Sequence, residues 1–337
     1  MRMVFNVTAL VVTGLLIAPG VALAQGAKPS LPQNPNIIID YTEPVDPARM
    51  NFDPDDPKLS ADDKAKLKKL QANYEAMKGV RERLMKSRLL ERYRLFLSAV
   101  RFPTTFRLRT KQCDELNAFY SSTDDSLNLC YEYVLSFEQK APNDTTPEGI
   151  TREEAIVGSI VSTMLHETGH ALFSMFRVPI LGREEDAADQ IAGFVMLQFG
   201  NDVARTTIKG AAWKWASQDW SDPAYHDVHS TPQQRFYNFL CMAYGGDPAG
   251  FQEFIDKGWL PKWRVPNCAR EYQQAKLAFE KTIGPHIDWD MVKRVQATTW
   301  LQSNEVPPVA PPPSQPQTAL PSASTPSTAP GQPAKGP

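Results

Sequence analysis

The stretch "MLHETGHALF" at residues 164–173 constrains the fold more than any other part of this 337-residue chain. His166 and His170 are four residues apart, so on an α-helix both imidazoles leave one face, a turn apart. The surrounding sequence supplies that helix. Thr151 and Glu154 in "TREE" make a capping box, apolar residues then recur at helical spacing to about Phe176, and Pro179 prevents continuation. After a short turn at Gly182, a second helix is expected from Glu184 to Phe199. So short a connection returns the second helix antiparallel beside the first, and Ala187 and Ala188 let the two approach closely.

Two imidazoles on one helix face can hold a single Zn²⁺. Glu167 lies beside them, placed to take a proton from water. Hydrolytic zinc sites use three protein ligands and leave one position open. The run "GREEDAADQ" at 182–190 offers the third ligand: Glu185 has Asp189 four residues on, whereas Glu184 has Ala188 there. A ligating imidazole usually gives its second ring N–H to a carboxylate, which suits Asp189. Glu184 and Asp186 read as acids that complement the start of a helix. The motif uses two of only five histidines, which argues against two histidines merely packed on a helix.

HExxH followed by ExxxD on the next helix resembles the gluzincin metallopeptidases, of which thermolysin is the familiar member. "EDAAD" is also similar to the ExxAD form of CAAX-prenyl-protease-like proteins. "HETGHALF…GREEDAADQ", "CDELNAFY…LCYE" and "HSTPQQRFYNFLCMAYGGDP" together resemble a bacterial family of zinc-metallopeptidase-like proteins, over about residues 88–285. The resemblance implies one Zn²⁺, a peptide or protein substrate, and Asp189 on His166. "NAFY" at 117–120 is similar to the "NAFW" of thermolysin-like enzymes, which implies an edge strand over the cleft with Asn117 and Ala118 nearest the scissile bond. His229, with Arg235 supporting it or binding a carboxylate, takes the role of the later His or Tyr that steadies the oxyanion. His226 or His229 could instead be a fourth ligand. The spacing from His170 to Glu185 is shorter than in thermolysin, so the loop under the metal must differ.

The rest of the chain frames this domain. Arg2, the apolar run Val4–Ala18 and "VALA" at 21–24 read as a signal peptide, so the mature protein is expected to be exported, periplasmic or secreted, without a membrane span. Residues 25–60, rich in Pro, Asp and Asn, read as an extended arm, and 61–305 as the metallopeptidase-like domain. Leu67, Leu70, Tyr74, Met77, Leu84, Tyr93, Leu97 and Val100 mark a helical face from 61 to 100, with a break expected at Gly79. Residues 115–134 read as a β-hairpin, and further helices are expected near 232–244 and 267–283. From Pro307 to Pro337, 11 of 31 residues are Pro, so 306–337 reads as a disordered tail that could recruit a partner. The four cysteines of an exported chain suggest disulfides, paired in sequence as Cys113–Cys130 and Cys241–Cys268. Net charge is −2, but residues 61–111 hold 15 Lys or Arg against 5 Asp or Glu. That run reads as the solvated side of a helix, and it lacks the stacking aromatics of a nucleic-acid module. The expected fold is α+β and zincin-like: a small, partly antiparallel sheet whose edge lies over the HExxH helix, the remainder mostly helical. Zinc hydrolysis of a cell-wall amide, or a metal-containing scaffold without turnover, are the rival readings.

Overall fold

The structure, a computed structural model, describes residues 34–47, 60–221 and 224–296. The expected signal peptide and Pro-rich tail lie outside the described residues, as does much of 25–60. Four strands form one sheet: β1 (Ile37–Tyr41), β2 (Phe106–Lys111), β3 (Ala118–Ser121) and β4 (Ser126–Cys130), in the order β1-β2-β4-β3. β1 and β4 run parallel to β2 between them, and β3 returns antiparallel to β4 as an edge strand. β4 is buried along its whole length, whereas β2 alternates, with Phe106, Leu108 and Thr110 turned inward. The expected hairpin forms over residues 118–130, while 131–134, also assigned to it, start a helix. The arm reading needs correction, because "IIIDY" is a strand: Ile37 is buried and pairs with Phe106. A five-residue run between Asn and Pro/Asp clusters is too short to show periodicity, though its three isoleucines are strong β-formers.

Helices make up most of the remainder: α1 (Ala61–Ser87), α2 (Leu89–Leu97), α3 (Tyr131–Lys140), α4 (Arg152–Phe176), α5 (Glu184–Met196), α6 (Asn201–Ala216), α7 (Pro232–Gly246), α8 (Glu253–Asp256), α9 (Val265–Thr282) and α10 (Trp289–Gln296). The architecture is α+β, a small mixed sheet in a mostly helical body. α1 runs straight through Gly79 and ends at Arg88, whose φ of 56° is left-handed. Lys64, Lys66, Lys68 and Lys69 are exposed along α1, and its core face begins only at Met77. No helix among the described residues is long and apolar enough to cross a membrane.

α4 is the central helix. Its capping box forms as expected, with Thr151 Oγ1 accepting from the Glu154 amide and Glu154 Oε2 accepting from the Thr151 amide. It ends at Arg177 in a left-handed cap, and the chain turns through Gly182 into α5. Two close crossings fix what surrounds it. A Cβ on Gly169 would stand 3.1 Å from the Ala188 Cα, so α5 lies almost backbone to backbone with α4. A Cβ on Gly210 would stand 1.9 Å from the Glu154 carbonyl oxygen, so α6 crosses the start of α4 as tightly. The disulfides are the expected ones, Cys113–Cys130 tying the hairpin and Cys241–Cys268 tying α7 to α9.

Candidate metal centre

His166 and His170 leave α4 on one face, and Glu185 meets them from the first turn of α5. The two Nε2 atoms are 3.2 Å apart, and Glu185 Oε2 lies 3.0 Å from one and 3.4 Å from the other. Tetrahedral zinc with ligand bonds of about 2.0–2.1 Å requires ligand atoms about 3.3 Å apart, which matches this triangle. The opposite edge of each ring is also held. His166 Nδ1 donates to Asp189 Oδ1 at 2.8 Å and His170 Nδ1 to Glu184 Oε1 at 2.7 Å. With Nδ1 carrying the proton, each neutral ring turns a lone pair from Nε2 towards a carboxylate and towards the other ring. Three lone-pair donors converge, and only a positive charge between them reconciles the arrangement. The residues therefore fit a zinc ion. Among the described residues, two groups have possible ligand atoms within 4.8 Å of one another: Cys113, Cys130 and Glu132, whose thiols are spent in a disulfide, and His166, His170 and Glu185, with His229 outside it.

Where no metal is bound, ring protons on the histidine Nε2 atoms supply that positive charge to Glu185 instead. Burial would raise the Glu185 carboxyl, yet hydrogen bonds from His166, His170 and His229 hold it well below the usual carboxylate range. Burial opposes the charge on Asp189 too, and the Arg235 guanidinium outweighs it, with His166 adding to the effect. Burial lowers and the bonds to Glu185 and Glu184 raise His170, with a net rise to about 9. Glu167 is displaced upward, chiefly by burial, against the pull of both histidines and the Tyr120 amide. That amide donates to Glu167 Oε2 at 2.9 Å, so the edge strand and the HExxH helix meet at Glu167.

A family model described as "Putative metallopeptidase" (DUF4344) matches residues 70–283, more than half of the chain. The chain belongs to this family. No curated protein and no solved structure matches it. Membership in a metallopeptidase family implies a metal, and the His166, His170 and Glu185 group is where the chain can hold one.

Several residues of this family member sit differently from expectation. Glu184 is not only a helix-end acid, since it anchors His170 as Asp189 anchors His166. Asp186 accepts from Ser230 Oγ at 2.6 Å and so ties the start of α5 to the segment carrying His229. Arg235 directs Nε and one Nη to Asp189, each at 2.6 Å, and its guanidinium lies 3.8 Å from the Trp215 ring centroid. It steadies Asp189 instead of reaching open space as an oxyanion or carboxylate binder would. His229 stands half exposed at the cleft, with Nε2 3.0 Å from Glu185 Oε2 and Nδ1 2.8 Å from Asp227. His226 is exposed and takes no part. On β3, the Asn117 carbonyl accepts from the Cys130 amide, while the Tyr120 amide faces outward to Glu167. The alternation of an antiparallel pair then gives Ala118, not Asn117, the open backbone groups beside the cleft. Lys214, Thr163 and Tyr133 also line that cleft, and sequence spacing gave no sign of them.

Proposed function

We propose that the chain is an exported, gluzincin-like zinc peptidase that hydrolyses peptide bonds with Glu167 as general base. The observation that carries the reading is the convergence of two Nε2 atoms and one carboxylate oxygen, each ring backed by its own carboxylate, with a buried fourth carboxylate beside them. A bound zinc ion supplies Lewis acidity, lowering the pKa of water towards ~7 and polarising a carbonyl. Glu167 accepts the proton and hands it to the leaving amine. Burial that lifts its carboxyl brings it nearer the working pH, which favours both transfers. The outward backbone of Ala118 pairs with an extended substrate as one more strand. His229 stands at the cleft mouth with Nδ1 held by Asp227, and its Nε2, now against Glu185, would be released to donate to the developing oxyanion once a metal takes that carboxylate. Export rests on the leader-like residues 1–24.

Replacing Glu167 with Gln preserves shape and removes the base. The variant should keep one zinc per chain while peptide hydrolysis falls by about 10²–10⁴-fold. Glu185→Ala should lose the metal. Undiminished turnover in Glu167→Gln removes the mechanism, and full zinc occupancy in Glu185→Ala removes the third ligand.

A further inference from the structure

Beside the metal group lies a cleft of about 390 Å³, bounded by Asn117 and Ala118 on one side and His229 on another. Its inner wall is cationic. Lys214, from the last turn of α6, is only 6% exposed, and its ammonium donates to Thr163 Oγ1 at 2.7 Å. Its other neighbours are aromatic faces: Trp215, Tyr133 and Phe137, at 4.3, 5.5 and 5.8 Å from their ring centroids. Among the described residues it has no ion-pair partner. The acids whose field reaches it, Glu167 on α4 and Asp189 on α5, are already bound, Glu167 by the Tyr120 amide and Asp189 by Arg235 and His166. Arg235 on α7 adds a second positive charge.

An ammonium buried without an anion is costly, and two of its three N–H groups have no acceptor. The same wall holds a second unanswered donor: the Trp215 indole Nε1 is buried and has no partner. A purely structural position would favour an apolar side chain, since a well-packed hydrophobe replaces a buried charge at no loss. Unpaired donors beside the reacting groups instead call for an acceptor that arrives from outside. The mouth is not attractive to free anions, because Asp219 and Asp227 stand there. The acceptor must therefore come attached to a chain held along β3.

We propose that Lys214 binds a carboxylate of the peptide substrate, making this a peptidase selective for an acidic group at the position that enters the cleft. The selectivity rests on the peptidase reading above; the binding does not require turnover. Two sources share the chemistry, an Asp or Glu side chain and the C-terminal carboxylate of the substrate.

The test uses the full zinc-loaded Glu167→Gln protein at pH 7 and three peptides with one core sequence. The first has an internal Glu and an amidated end, the second an internal Gln and a free C-terminus, the third an internal Gln and an amidated end. Calorimetry should show one of the carboxylate peptides binding about tenfold or more tighter than the neutral one, and which one identifies the source. Adding Lys214→Met should erase that ratio. Without that second substitution, binding of the preferred peptide at pH 8 should take up a proton that the neutral peptide does not, because burial beside Arg235 pushes free Lys214 down to about 7. Equal or undetectable binding of all three peptides overturns the proposal, as does a ratio that survives in Lys214→Met or equal proton uptake. If the unsubstituted protein cleaves none of the peptides but the binding ratio holds, the peptidase reading fails and the carboxylate site stands. If it cleaves all three at equal rates and binds them equally, the reverse is true.

Discussion

Asp189 joins three roles in one carboxylate. It fixes the tautomer of His166, neutralises Arg235, and so ties its own helix α5 to α4 and α7. Asp189→Asn keeps the shape and removes the charge, so two effects should appear together. Zinc affinity, measured by competition with a chelator, should fall about 10–100-fold as His166 loses its anchor. Thermal stability should fall as well, by about 3–5 kcal/mol, because Arg235 is left buried without its anion. Unchanged zinc affinity would show that His166 is held by packing alone. The residues of this group were legible in the sequence for a simple reason: their roles are tied to i, i+4 spacing on two consecutive helices, and spacing survives in one dimension. Glu184 shows where that logic stops. It shares a helix turn with Glu185, and only the crossing angle of α4 and α5 decides that it reaches His170. Lys214 was invisible for a stronger reason, since its neighbours come from α3, α4 and α7 and no local pattern connects them.

At the scale of elements, glycine decides how near α6 can come to the metal helix. A methyl group at residue 210 would meet the Glu154 carbonyl at 1.9 Å and the Gly158 Cα at 2.7 Å, both backbone atoms that cannot step aside. Gly210→Ala gains about 1 kcal/mol of helix propensity, and the enforced separation should outweigh it, for a net loss of about 1–3 kcal/mol or more in urea unfolding. Gly79→Ala is the matched control. The nearest atom there is the end of the Arg83 side chain at 3.2 Å, which can move, so this variant should gain about 0.5–1 kcal/mol. Equal effects at both sites would mean that α4 and α6 do not meet backbone to backbone at Gly210. The elements that sequence reading found, α4, α5, α7, α9 and the hairpin, carry caps, prolines or a clear turn. The strand β1 and the helix α6 carry none. β1 is a five-residue run completed by pairing with β2, and α6 mixes Gly, Thr and Trp whose burial is set by the helices around them. The break between α1 and α2 was misplaced because glycine permits a left-handed turn without requiring one, and here Arg88 makes it.

For the molecule as a whole, Lys214 is a charge the folded state would be more stable without. Burial, reinforced by Arg235, lowers it from 10.5 to about 7, so between those values the unfolded chain holds a proton that the folded chain has shed. Stability then rises with pH across that window, and below about 7 the full cost of burying the ammonium is present. Tyrosines set the upper bound, since burial pushes Tyr133 up to about 12 and the folded state keeps its proton while the unfolded one loses it, which reverses the trend above ~10. Lys214→Met should therefore be more stable than the parent at pH 7, with a difference in urea midpoint that narrows steadily towards pH 9.5. A parent whose midpoint is flat over pH 7–9.5, or a Met variant that is less stable at pH 7, would mean that the ammonium is well solvated or well paired in the folded protein. A chain that keeps such a residue beside its candidate metal centre carries a cost in stability that packing does not repay, as sites of function commonly do. A substrate carboxylate that neutralises Lys214 should remove the same cost. At equal peptide concentration, the carboxylate peptide should then raise the parent's midpoint at pH 7 by more than that of Lys214→Met.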